Sequence, residues 1–133
     1  MNNKLPPYNE DAERSVLSAI MIDPSIVFGV MTELEANDFY STQRKHIYGA
    51  ITDLAIDSKP IDMLTIAQRM RDKKVFEEAG GIVELAHCEN HTPTASVVNH
   101  HSGLVKGLSV RRQAIRYLDN SLREAYEKKS DTV

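Results

Sequence analysis

The sequence has no tryptophan, one cysteine, and few glycines and prolines, and each shortage excludes a class of protein. A lone thiol, Cys88, cannot close an internal disulfide, so this is not a cystine-stapled secreted domain. Six glycines and five prolines among 133 residues leave no low-complexity segment, and no internal repeat is visible. The longest apolar run, Ala19 to Ile22, falls far short of the ~20 residues that a bilayer demands, which argues against any membrane role. The opening Met1-Asn2-Asn3-Lys4-Leu5-Pro6-Pro7 lacks the apolar stretch of a secretory signal, and with the single thiol this predicts a reducing, cytoplasmic setting. Positive charge is also scarce. Sixteen basic against nineteen acidic residues give a net charge of -3, unlike a domain that grips DNA phosphates unaided.

What is present is ordinary globular material, 41% apolar and 26% charged. At this length a chain buries roughly two thirds of its unfolded surface, enough for a core without metal or disulfide. Apolar residues recur at helical spacing and nowhere alternate like a strand, so the expected fold class is all-α: a compact multi-helix head followed by one long helix. Residues 1–8 read as an extended lead-in because Pro6-Pro7 biases its neighbours away from helix. The head is expected over 9–93. Asn9 caps a first helix with Glu10, Asp11 and Glu13 in its first turn and Ala12, Val16, Leu17 and Ile20 inward. Asp23-Pro24 opens a second, with Ile26, Val27, Val30, Met31 and Leu34 inward. Ser41 caps a third around Ile47, Tyr48, Ile51 and Leu54, and Asp62 a fourth through Leu64, Ile66, Ala67 and Met70. Gly80-Gly81 permits positive backbone angles at the entry to a short helix containing Ile82, Val83, Leu85 and Ala86, with a break near Asn90 to Pro93.

From Thr94 the pattern changes. Val97, His101, Leu104, Leu108, Arg111, Ile115, Leu118, Leu122 and Ala125 follow a 4, 3, 4, 3 spacing, a heptad seam on a helix expected over 94–128, with 129–133 as a truncated tail. About 45 Å of helix at 1.5 Å per residue is more than a small head can cover, so the seam asks for a second helix or a second subunit. Leu104, Leu108, Ile115, Leu118 and Leu122 are the predicted self-association residues. Gly103 and Gly107, one turn apart, either permit close backbone approach there or merely weaken the helix.

Chemical motifs are sparse. There is no phosphate-cradling Gly-x-x-x-x-Gly-Lys-Ser/Thr loop, so ATP hydrolysis by this chain is not expected. His87, Cys88 and His91 lie close in sequence and admit a metal-dependent enzyme as an alternative, although the full zinc spacings are missing. Cys88 reads more simply as a small core residue, and His101 as a packing or hydrogen-bonding group whose protonation could loosen an interface. Asp23, Asp38, Asp57 and Asp62 stand at helix boundaries as caps or turn residues. Arg111-Arg112, with Lys106 and Arg116, makes the long helix locally basic, as a solvated face or a phosphate contact.

The ordered set Pro6-Pro7, Ala12-Glu13-x-x-Val16-Leu17, Asp38-Phe39-Tyr40, His46-Ile47, Pro60-Ile61-Asp62, Gly80-Gly81, Thr92-Pro93-x-Ala95, and Val105 followed by Arg111-Arg112 resembles the N-terminal domain of DnaB-type replicative DNA helicases. The resemblance runs from about Leu5 to Tyr126. It implies a helical head and the first arm of a helical hairpin, through which such domains pair into a collar on a hexameric ring. It further implies docking of primase and of the helicase loader, and an ATP- and Mg-dependent motor in a separate C-terminal domain, with DNA reached only through the full ring. No catalytic, cofactor or metal residues are expected in this stretch. Glu84 stands where the family commonly has an aromatic linked to primase contact, and Glu84, Arg111 and Arg112 are the docking residues that the resemblance suggests. Ser18 replaces a usual glycine, and Gly103 and Gly107 replace larger residues, which would suit a divergent member encoded by a phage or plasmid. A free-standing mimic that regulates a host helicase is the other reading of the same class.

Overall fold

The computed structural model describes residues 4–91 and 97–127, and among them there are helices and no strand. The predicted Thr92-Pro93 break, the helix onset at Thr94, the first three residues of the lead-in and the tail 129–133 lie outside the described residues.

The head begins with α1 (Glu10–Ile22), whose N-terminus is capped by the Asn9 side chain accepting from the Ala12 amide at 2.9 Å. Three carboxylates in its first turn complement the positive end of the helix dipole. This helix is the axis of the head. It packs against α3 (Thr42–Ile56), α5 (Gly81–Asn90) and α6 (Val98–Glu127), and Ser15, Ser18 and Ala19 are buried along with Val16, Leu17 and Ile20 because neighbours approach from several sides.

The second helix departs from expectation. Asp23 does cap the next element, but that element is a 3-10 turn, Pro24–Ile26, leading into a short α2 (Val27–Met31). Leu34 is buried from the following loop rather than from a helix, and its carbonyl accepts the buried Tyr48 hydroxyl at 3.0 Å. A further 3-10 turn, Ala36–Asp38, aims Phe39 into the core against Tyr48, ring centroids 4.9 Å apart. Burial pushes the Tyr48 phenol well above its ordinary range.

Ser41 caps α3, and Asp62 caps α4 (Met63–Asp72) reciprocally with Thr65. Leu64 is exposed, while Ile66, Ala67 and Met70 face inward. Gly80 caps α5 with φ at 82°, and a Cβ there would stand 3.0 Å from the Gln43 side chain, so backbone freedom and space both call for glycine. In α5, Ile82 and Val83 are exposed, and Leu85 and Cys88 are buried.

Candidate docking surfaces

The long helix meets the head with a face different from the predicted seam. Val98, Ser102, Val105, Ser109 and Arg112 are its buried residues. They keep the 4, 3, 4, 3 spacing but sit one residue later, a rotation of about 100°. The seam is thereby left on the open side: Leu104, Ile115, Leu118 and Leu122 are exposed, the last two at 65% and 56%, and Leu108 is half-buried. Beyond Arg112 no described residue of α6 is buried, so residues 113–127, about 22 Å of helix at 1.5 Å per residue, project past the head. A row of exposed aliphatic side chains on one projecting helix is the mark of an interaction surface. Gly103 and Gly107 lie beside this row with nothing within 4 Å of an added Cβ.

The lead-in is pinned to the root of the projecting helix. Tyr8 stacks on Tyr40 with centroids 4.3 Å apart, and the Arg112 guanidinium lies 5.5 Å from the Tyr40 centroid. Lys4 to Pro7 and the residues Ile115, Leu118 and Leu122 form the walls of an apolar groove of about 500 Å³.

Of the residues that the resemblance suggests for docking, Arg111 is exposed on α6, whereas Arg112 and Glu84 are each only 5% exposed. Arg112 donates to the carbonyls of Pro7 and Asp38 at 2.9 and 2.7 Å. Glu84 is the centre of a charged cluster: Arg14 donates to both of its oxygens at 2.9 Å, and Arg44 to one at 3.3 Å. Arg44 in turn donates to Glu13 at 2.8 Å, and the other oxygen of Glu13 accepts the Tyr40 amide at 2.8 Å. The cluster ties α1, α3 and α5 together. Burial acts to raise the Glu84 carboxyl, but the hydrogen bonds and charge of Arg14, with Arg44, hold it below the usual carboxylate range. Hydrogen bonding to Glu84 raises the Arg14 guanidinium correspondingly. Neither Glu84 nor Arg112 is therefore offered directly to a partner.

Sequence reasoning missed Glu13 and Arg44 as core charges. The signal was there: Arg44 lies three, four and seven residues before Ile47, Tyr48 and Ile51, on their apolar stripe, and Glu13 lies three and four before Val16 and Leu17.

His87, Cys88 and His91 do not converge, which corrects the metal-enzyme alternative. The Cys88 thiol is buried, faces a Glu84 oxygen at 3.6 Å and is pushed far up by burial, while His87 and His91 border a hollow on the surface of α5. The His91 ring is 2.9 Å from the Ser15 hydroxyl, and the His91 carbonyl accepts the Ser18 hydroxyl, so Ser18 of α1 fastens the end of α5. Among the described residues no three His, Cys, Asp or Glu side chains are grouped to hold a metal ion. No helix among them is by itself long and apolar enough to cross a membrane.

Residues 5–107 match the family described as DnaB-like helicase N terminal domain. The chain is 30% identical over 131 residues to the replicative DNA helicase DnaC of Bacillus subtilis, with 98% of the chain and 29% of that protein covered. It is 29% identical over 129 residues to the replicative DNA helicase DnaB of Haemophilus influenzae, covering 97% and 28%. It thus spans less than a third of either relative. The N-terminal domain of DnaB helicase from Mycobacterium tuberculosis superposes with a TM-score of 0.89 at 23% identity, covering 97% of this chain and 90% of that one, and shares the fold. That of Helicobacter pylori, described with its interactions with primase, superposes with a TM-score of 0.74 at 27% identity, covering 89% and 91%.

Proposed function

The chain belongs to the DnaB-like helicase N-terminal domain family, and from that premise we propose that it is the assembly and docking part of a replicative DNA helicase, acting in the cytoplasm. It self-associates through the exposed Leu104, Ile115, Leu118 and Leu122 with the half-buried Leu108, and contributes in this way to the collar of a hexameric ring. Primase and the helicase loader dock on the head and the projecting helix, with Arg111 as an exposed contact. Glu84 and Arg112 act through the shape they impose, Glu84 on α5 and Arg112 on the lead-in.

The observation that carries this reading is the leucine row left open on the flank of α6, about 100° around the helix from the residues that pack on the head. Burying such a row is worth about 25 cal/mol for each Å² of apolar surface removed from water, and the head leaves that surface uncovered. Motor chemistry belongs to another part of such a helicase. The glycine-rich loop that ATP and Mg require is missing from this sequence, so no residues here would hold them.

Sedimentation equilibrium tests the reading. The wild-type chain is expected to self-associate, and Leu118→Glu and Leu122→Glu to weaken association by about tenfold or more, ~1.4 kcal/mol, with unchanged helical circular dichroism. Variants that associate as tightly as wild type would move the interface elsewhere. Adding the helicase-binding domain of the cognate primase should then give a mixed boundary, and its absence would count against primase as a partner.

A further inference from the structure

A second groove lies along α6, on the other side of Pro6 and Ile115 from the apolar one. It measures about 660 Å³ and runs between the 3-10 turn Ala36–Asp38, the first turn of α3 and the middle of α6. Three cations, Lys45, Lys106 and Arg116, stand around it with the half-exposed ring of Tyr40 and the Gln113 amide.

The charges are not balanced within the groove. Asp38 is occupied: it accepts the Glu35 amide at 2.7 Å and the Ser109 hydroxyl at 2.8 Å, and Lys106 lies 3.3 Å from it. The Lys45 and Arg116 side chains have no acidic partner among the described residues, on a chain whose net charge is -3. Arg112, close by, donates to two backbone carbonyls and forms no ion pair among the described residues. Two uncompensated cations facing one concave surface select an anion, and a guanidinium favours a carboxylate that it can hold by two parallel bonds.

From this geometry we propose that the groove beside Tyr40 docks an acidic stretch of another polypeptide, whose carboxylates pair with Lys45 and Arg116. An apolar neighbour in that stretch lies against Pro6 and the ring of Tyr40, which line the groove outside the leucine row. The exposed Glu35 favours a peptide over nucleic acid: a continuous phosphate chain would be repelled by it, whereas a peptide can place its few carboxylates away from it. The proposal does not rest on the self-association reading.

Fluorescence anisotropy of the whole chain distinguishes the outcomes with three labelled probes: a peptide of aspartates and leucines, the same peptide with asparagine for aspartate, and an oligothymidylate of equal length. The aspartate peptide is expected to bind, to weaken as salt rises, and to lose about fivefold in affinity in Lys45→Gln and again in Arg116→Gln, ~1 kcal/mol each. Neither side chain is buried, so both variants keep the fold by circular dichroism and the sedimentation behaviour of the wild type. Failure of the aspartate peptide to bind, equal binding of the asparagine peptide, or affinity unmoved in both variants overturns the proposal. Tighter binding of the oligothymidylate, lost in the same variants, overturns it in favour of a nucleic-acid groove.

Discussion

Arg112 of α6 donates to the carbonyl of Asp38 at 2.7 Å, joining the long helix to a turn 74 residues earlier in the sequence. Its second bond, to the Pro7 carbonyl, reaches back 105 residues and holds the lead-in on the same helix. One buried guanidinium thus sets where the lead-in, the 3-10 turn and α6 meet. Arg112→Ala leaves two carbonyls without their charged donor and is expected to cost about 3 kcal/mol in urea unfolding. Limited proteolysis should then cut the lead-in before Asn9 faster than in wild type, while a cleavage rate equal to wild type would show the lead-in to be held by the Tyr8–Tyr40 stack alone.

Glu84 shares Arg14 and Arg44 inside the head. Removing one member of a buried ion pair strands the others, so Glu84→Ala is expected to destabilise by about 3–5 kcal/mol. The carboxyl ionises below its usual range in the folded chain. Its contribution is complete above the usual carboxylate range and is lost as pH falls through the lower, folded value. Glu84→Gln should therefore flatten the acid limb of the stability profile measured by denaturation at successive pH values. An acid limb identical to wild type would assign it to other carboxylates.

His101 has the opposite dependence. Burial first, then the charges of His100 and His91, lower its ring below the ordinary value near 6.5, and its Nδ1 is buried with no hydrogen-bond partner. The unfolded chain takes the proton more readily, so stability is full above about pH 6.5 and declines as pH falls from there to the folded value. His101→Gln should remove that step from thermal melts taken between pH 5 and 8 (a window around the ordinary histidine pKa of about 6.5), and a step that persists in the variant would place it on another histidine.

Ser18→Ala deletes the hydroxyl that binds the His91 carbonyl. A loss of about 1–2 kcal/mol is expected, together with faster amide exchange at the end of α5, because that carbonyl fastens α5 to α1. Exchange unchanged at the end of α5 would show that the Ser15 contact to the His91 ring suffices.

Gly107→Ala places a methyl group where the chain has nothing within 4 Å. Within a helix the substitution should stabilise by about 0.5–1 kcal/mol. A fall in self-association in the same variant would show that the glycine admits a close neighbour, and unchanged association that it only weakens the helix.

The sequence by itself determined what is local. Asn9, Ser41 and Asp62 cap their helices because a cap bonds to an amide a few residues along, a relation that spacing alone displays. The glycine pair at the start of α5, the all-helical class and the long final helix were legible for the same reason, and so was the ordered set of short motifs that resembles the helicase family. Tertiary structure decided which face of α6 meets the head. Two stripes one residue apart share the same 4, 3, 4, 3 spacing, and apolar content alone selects the leucine row. The head selects the other row instead, because the Asp38 carboxylate and the Asp38 and Pro7 carbonyls need the donors of Ser109 and Arg112. Glu84 was hidden likewise: its partners come from α1 and α3, 70 and 40 residues away, and only folding brings those charges close enough to make a buried carboxylate stable.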